Sequence, residues 1–347
     1  MTIATTLRLS LCAAAVSTIS MFGLVGCSNS TTETTTDDAV VTTEKPAKTL
    51  AITQIVEHPS LDEIRRGLLE ELADNGYVEG KNLTVNFQSA QGNLATAGQI
   101  AKQFAGDLPD AIVAISTPSA QSIVASTTSI PVIYTAISDP LAAKLINEKN
   151  VPFQSNVTGL SSQLPIEPQL DLIQKIAPNA KTIGYVFSPG EANSVNVLNQ
   201  LKKAAPARGL KILDLAANRP TDVAMATRSL GGRADVIYTS LDNNVVSAFE
   251  AMASAANELK IPVIASDEFS VRRGATAALG VNDYDFGRVT GKMVYRVLNN
   301  EAVSSVKPQV MNDLTLYVSP KHAQAQGVSL SADILKDAIN VDNDAKK

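Results

Sequence analysis

The chain reads as an α/β protein of two doubly wound, parallel-sheet lobes joined by a hinge. Three observations predict this. From Leu50 onward the apolar pattern changes period repeatedly, short strand-like runs alternating with segments of helical spacing. The strand-like runs AIVAIS, PVIYTAIS and ADVIYTS are continuous in Val, Ile and Ala rather than strictly alternating, as strands of a parallel sheet covered on both faces are. The order also restarts midway, so that two similar halves follow one another.

LAITQIV is the first strand, and Leu61, Ile64, Leu68 and Leu72 line one face of the helix after it, with Ser60 and Glu63 spaced as a capping box. LTVNF, a helix around NLATAGQIAKQFAGD, AIVAIS, a helix at TPSAQSIVAST, PVIYTAIS, a helix at DPLAAKLINEK and the strand NVTGLSS complete a βαβαβαβαβ half. The second half opens on a helix at PIEPQLDLIQKIAP. It runs through TIGYVFS, the helix ANSVNVLNQLKKAA, LKILDLA, TDVAMATRSL, ADVIYTS, the helix NNVVSAFEAMASAANEL, PVIASD and ATAALGV. A further helix, DYDFGRVTGKMVYRVLNN, and a last strand near LTLYVS imply that the chain crosses between the halves more than once. The expected lobes are residues 49–160 plus 268–302 and residues 161–267 plus 303–331, with 332–347 a tail.

The start of the chain reads differently. Residues 1–26 carry LSLCAAAVSTISMFGLVG, an apolar stretch too short and too rich in small residues to favour a permanent span, and so a signal peptide. Leu24, Val25, Gly26 and Cys27 resemble the bacterial lipobox, which implies that Cys27 is acylated and opens the mature protein. The other cysteine, Cys12, leaves with the signal, so the mature domain has no pair from which to form a disulfide. Residues 28–48 are dominated by Thr, Ser and acidic residues without aromatics, a composition that cannot offset the entropy of folding. As a flexible tether from residue 27 to 48 they reach roughly 20 to 25 Å. A net charge of −5 and the absence of a Lys/Arg-rich block argue against nucleic acid. The lipid is then the expected membrane contact, and the protein is exported to the periplasmic or cell-surface side.

Two hinged α/β lobes turn the carboxyl ends of their strands toward a shared crevice, where ligands of such sheets bind. Candidate ligand-binding residues therefore sit at strand-to-helix junctions. At Ser116, Thr117, Pro118 and Ser119 a helix starts with Thr117 as cap, and its free N–H groups suit a carboxylate; capping alone also accounts for Thr117. Ser138 and Asp139 before Pro140 repeat the arrangement with an acidic cap. Asp242 with Asn243, and Asp267, place carboxylates at the rim of the second half, where an ammonium group needs such a partner. Glu191, Asn193 and Ser194 follow the turn at Pro189 and Gly190, although a turn with an Asn193 cap explains them equally well. Gln54 and His58 end the first strand, and a single histidine is more often a hydrogen-bonding residue than a metal ligand. There is no GxGxxG, Walker loop, GxSxG elbow or metal-spaced Cys/His cluster, so neither catalysis, a cofactor nor a metal is expected.

The stretches ITQIVEHPSLDEIRRGLLEELADNGYVEGKN, STPSAQ, VTGLS, GEANSVNVL, LDNNVVSAFEA and IPVIASDEFSVRRGA together resemble the substrate-binding lipoproteins of ABC importers, in the subfamily associated with tryptophan and tyrosine uptake. The resemblance runs from about Leu50 to about Gly327. It implies a type I periplasmic-binding fold, a Venus flytrap whose lobes grip an amino-acid backbone and deliver it, as a monomer, to ABC permease subunits. It also implies STPSAQ as the carboxylate site, with Asn193, Ser194, Asp242, Asn243 and Asp267 on the opposing lobe. A sugar or nucleoside in the same fold, a ligand sensor for a membrane kinase, and a hydrolase using Asp139, Asp242 or Asp267 are the alternatives.

Overall fold

A computed structural model describes residues 45–162 and 164–346. The expected signal peptide, Cys27 and the tether up to residue 44 lie outside the described residues.

The first lobe is laid down as β1 (Lys48–Gln54), α1 (Pro59–Asp74), β2 (Leu83–Ser89), α2 (Leu94–Asp107), β3 (Ala111–Ile115), α3 (Thr117–Val124), β4 (Val132–Ile137) and β5 (Val157–Ser162). After β5 the chain crosses into α4 (Ile166–Ile176), β6 (Thr182–Phe187), α5 (Ala192–Ala204), β7 (Lys211–Ala216), α6 (Val223–Arg228) and β8 (Val236–Tyr238). The second lobe continues with α7 (Asn243–Ser247), α8 (Phe249–Leu259), β9 (Val263–Ala265), α9 (Glu268–Arg272) and β10 (Ala277–Gly280). The chain returns to the first lobe for α10 (Asp283–Leu298) and β11 (Gln309–Met311). It crosses a last time into β12 (Thr315–Val318), α11 (Pro320–Ala325), α12 (Ala332–Lys336) and β13 (Ile339–Asn340).

Two sheets result, in the orders β11-β5-β4-β3-β1-β2 and β13-β12-β10-β9-β8-β6-β7. Among the described strands every pairing is parallel except that of β10 with β12. Every residue of β3 and β5 is buried, as the continuous apolar runs require of strands sandwiched between helices. In the second sheet alternate residues serve opposite cores. Ile183, Tyr185, Val236 and Ile264 pack with Leu170 and Ile173 of α4, whereas Val186, Ile237 and Val263 pack with Phe249 and Met252 of α8.

The lobe boundaries differ from those read in the sequence. Residues 268–280 stay with the second lobe, because β10 pairs with β9 and β12, and the crossing falls at Val281–Asn282. Residues 309–311 belong to the first sheet through β5. Residues 332–347 are not a detached tail where they are described: Ile334 and Val341 are buried, β13 pairs with β12, and Ser319 Oγ donates to Asp342 Oδ1 at 2.7 Å.

Three local expectations also change. The segment DPLAAKLINEK forms turns rather than a helix, with Lys144 at φ +59° and Leu145 N–H closing on Pro140 O at 2.9 Å. The helix read across NNVVSAFEAMASAANEL breaks at Ala248, whose φ of −111° and ψ of 28° leave the helical region. No Ser60–Glu63 capping box forms: His58 caps α1, its Nδ1 accepting from Ser60 N–H at 3.2 Å, and Ser60 Oγ is used elsewhere.

Helices α1 and α10 approach closely enough to need glycine at their contact. A Cβ on Gly287 would lie 2.1 Å from Ile64 O, and one on Gly67 would lie 2.3 Å from Tyr284 O. Both clashes are with backbone, which cannot swing aside. Replacing Gly287 with Ala is expected to force the helices apart and to lower stability by about 1 to 3 kcal/mol, read as a lower denaturant midpoint at unchanged slope.

Candidate functional site

Between the lobes lies a cavity whose walls come from the carboxyl ends of the strands and the helices that follow them. His58, Ser60, Leu61 and Ile64 follow β1; Ser116 and Thr117 follow β3; Ser138 follows β4; Ser162 ends β5. From the second lobe come Asn193 after β6, Leu241, Asn243 and Val246 after β8, and Ser266 and Asp267 after β9. Val281, Asp283 and Phe286 follow β10 at the second crossing. A contiguous chamber, sharing Ser138, Leu164, Asn193 and Leu241 with the first, extends along α5 to Asn196 and Gln200.

One wall is rich in donors. Ser116, rather than the expected Thr117, is the N-cap of α3, and it makes no side-chain cap hydrogen bond. The first N–H groups of α3, at the positive end of its dipole, are therefore left without a side-chain acceptor. The Oγ atoms of Ser116 and Ser119 are buried and unpartnered. Ser116 has φ +80° and Ala136, beside it at the irregularity in the β4–β5 register, has φ +56°. Both non-glycine residues occupy a region that costs of order 1 to 3 kcal/mol, and such outliers gather at binding sites.

The facing wall is acidic. Asp267 caps α9 by accepting from Ser270 N–H at 2.8 Å, and its Oδ1 also accepts from Ser60 Oγ at 3.1 Å across the lobes. Asp283 Oδ2 is buried without a hydrogen-bond partner. Burial pushes the Asp283 carboxyl well above the usual carboxylate range, and the charges of Asp267, Glu268 and Glu63 act in the same direction. Burial lowers His58 below the ordinary imidazole value, against the opposing pull of Asp267. Since Nδ1 accepts from Ser60, the proton of the neutral ring sits on Nε2, which is buried and unpartnered.

A third group lies on the second lobe. Asn193 Nδ2 donates to Glu191 Oε2 at 3.2 Å and to Leu241 O at 3.0 Å, leaving its Oδ1 buried without a partner. Asn243 donates to the same Glu191 oxygen from its backbone at 3.1 Å and from Nδ2 at 2.6 Å. Leu61, Ile64, Leu241, Val246 and Phe286 supply the apolar remainder.

Of the residues singled out in the sequence, Ser116, Thr117, Ser138, Asn193, Asn243 and Asp267 line the main cavity. Gln54, Ser119, Asp139, Glu191, Ser194 and Asp242 do not. Gln54 Nε2 is held by Val56 O and Asp62 Oδ1 at 3.1 and 3.0 Å. Ser194 is fully buried beneath the wall beside Tyr185 OH, and Asp242 caps α7 while accepting from Ser188 N–H and Oγ. Asp139 joins the lobes at their rim, its Oδ2 accepting from Asn196 Nδ2 at 2.7 Å. Asp283 and Phe286 were missed, although a strand end followed by a helix start, the signal used at the other junctions, is repeated at Gly280 to Asp283. Among the described residues no cluster of three or more Cys, His, Asp or Glu is arranged to hold a metal, and no helix is long and apolar enough to cross a membrane.

Comparison with known proteins places this geometry in context. Residues 49–342 match the family model described as ABC transporter substrate binding protein. The chain is 36% identical over 339 residues, 97% of each chain, to the tyrosine-binding protein of Clostridioides difficile. A Streptococcus pneumoniae ABC domain in complex with L-Trp is similar at TM-score 0.81 and 30% identity, covering 85% of this chain and 99% of that one. The ligand-free, open structure of a substrate-binding protein with adhesive properties from Clostridium difficile is more identical, 37%, but superposes less well, at TM-score 0.64 over 85% and 99% of the two chains.

The lone acid at Asp283 carries a stability signature. Its folded-state affinity for a proton exceeds that of the unfolded chain, so the folded protein binds more protons, and stability declines as pH rises through the folded value. The ligand-free protein is therefore expected to gain stability on acidification from neutral pH toward the unfolded carboxylate range. Asp283→Asn should raise the melting temperature at pH 7 and shrink that gain; calorimetry of both proteins from pH 4.5 to 8 checks it.

Proposed function

The chain belongs to the family of ABC transporter substrate-binding proteins, and we propose that its crevice captures an α-amino acid with an aromatic side chain and delivers it to an ABC permease by lobe closure. The observation that carries the reading is the gathering of buried, unpartnered polar atoms around one cavity: Ser116 Oγ, His58 Nε2, Asn193 Oδ1 and Asp283 Oδ2. Each such atom costs about 1 to 3 kcal/mol, a cost that a ligand with matching groups removes.

A zwitterion matches them. Its carboxylate meets the N-terminus of α3 with Ser116 and Thr117, where the helix dipole and free amides favour an anion. Its ammonium meets Asp267 and Asp283, whose charges have no cation beside them on the cavity wall. The side chain takes the apolar space bounded by Leu61, Ile64, Val246 and Phe286. The tyrosine-binding relative and the neighbour holding L-Trp support the aromatic class. The better superposition on the Trp complex than on the open form, despite lower identity, supports a closed arrangement here, as do the Ser60–Asp267 and Asn196–Asp139 bonds across the lobes.

In this reading ligand binding shifts the lobes from open to closed, and the closed form is what the permease recognises. The protein acts by capture rather than catalysis. It is exported, and acylation of Cys27 holds the monomer at the outer face of the membrane through the tether.

Thermal-shift and calorimetric titration with L-Trp, L-Tyr and L-Phe against ribose and nucleosides test the ligand. The right ligand at a hundredfold excess over its dissociation constant adds about 2.7 kcal/mol of stability. Shifts with sugars and none with amino acids would overturn the assignment. Asp267→Asn keeps a capping oxygen for α9 but removes the charge, and should weaken amino-acid binding by about 2 to 5 kcal/mol, roughly 30-fold or more in Kd. Cys27→Ser should move the protein out of the membrane fraction and abolish labelling with radioactive palmitate.

A further inference from the structure

We propose that Glu191 is a positioning residue that fixes the amides of Asn193 and Asn243 with their carbonyl oxygens turned to the crevice, so that the second lobe offers acceptors only to a ligand bearing N–H or O–H donors. The inference rests on the amino-acid reading above for the ligand, but its geometry stands on the free protein. Glu191 is buried and off the cavity wall, whereas both asparagines are on it. One carboxylate oxygen, Oε2, accepts from Asn193 Nδ2, Asn243 Nδ2 and Asn243 N. A carboxylate only accepts, so it dictates which end of each amide faces it. Asn193 is locked twice, since the second hydrogen of its Nδ2 goes to Leu241 O. Flipping that amide would set its oxygen against two acceptors, which leaves Oδ1 as the buried, unpartnered atom beside the crevice.

An ammonium, an indole N–H or a phenol O–H satisfies such an acceptor; a ligand group that only accepts is repelled. The charge on Glu191 matters to the lock. Burial pushes its carboxyl up to about 7, and the neighbouring charge of Asp242 adds to the rise. Below that pH the protonated carboxyl can itself donate, and the amides lose the partner that holds them. Affinity for a donor-bearing ligand is thus strongest above pH 7 and falls as Glu191 is protonated.

Glu191→Gln is the neutral counterpart of the protonated residue, and should bind L-Trp at pH 8 about as weakly as wild type does at pH 5.5 while losing the part of the pH dependence centred near 7. Glu191→Ala frees both amides and should weaken L-Trp at least about tenfold at pH 8, with near-ultraviolet dichroism checking that it folds. A readout without ligand separates this inference from the ligand assignment. The side-chain NH₂ resonances of Asn193 and Asn243 should titrate with a midpoint near 7 in the free wild-type protein and stay flat in Glu191→Gln. Failure of wild type to bind any amino acid would sink the functional reading and leave the NMR titration to decide this one. Asparagine resonances unmoved between pH 5.5 and 8.5, or folded Glu191→Ala binding like wild type, would overturn it.

Discussion

Two buried carboxylates on one cavity wall, Asp267 and Asp283, have no cation beside them there, and the rest of the crevice is arranged around that unmet charge. Asp267 is partly compensated by the cap of α9 and by Ser60 from the other lobe, while one oxygen of Asp283 has no partner at all. The scaffold keeps this frustration local. It is confined to loops and first turns at the strand ends, while the strands beneath, such as β3 and β5, are buried along their whole length. Such a division lets a stable fold carry an unsatisfied site, and it makes the ligand part of the structure's energetics.

The two lobes contribute different chemistry to the same cavity. From the first come an uncapped helix start and two strained backbone positions, Ser116 and Ala136; from the second come the acid Asp267 and the oriented amides of Asn193 and Asn243. Asp283 and Phe286 enter on α10, which packs on α1 of the first lobe although its strand, β10, belongs to the second sheet. The crossing at Val281–Asn282 therefore places an acid and an aromatic ring of the site directly beside the hinge.

The alternation of elements, the parallel sheets and the repeated crossings were legible in the sequence because continuous apolar runs and helical periods are local signals. The lobe boundaries were less so, since nothing local in ALGV tells whether its strand pairs with β9 or with the first sheet; that is decided by partners far along the chain. The same limit governs the site. Ser116, Thr117, Ser138, Asn193, Asn243 and Asp267 reach the cavity wall, and a polar residue after a strand is a visible pattern. Asp242 and Ser194 share that pattern but turn away, Asp242 into a cap and Ser194 beneath Tyr185, and side-chain direction is not written in spacing. The capping box at Ser60 failed for a related reason: His58 reached the cap first, which released the serine hydroxyl to bridge the lobes.

Three short connections join the lobes, from β5 to α4, at 281–282 and at 312–314. β5 and β11 are neighbours in the first sheet and β10 and β12 in the second, so the connections leave from adjacent strands. A single linker would permit swivelling about its own axis; a row of three so short resists torsion and leaves bending as the soft coordinate. The lobes are thereby restricted to opening and shutting like a book on its spine, and each half meets the other in the same orientation every time, without a rotational search.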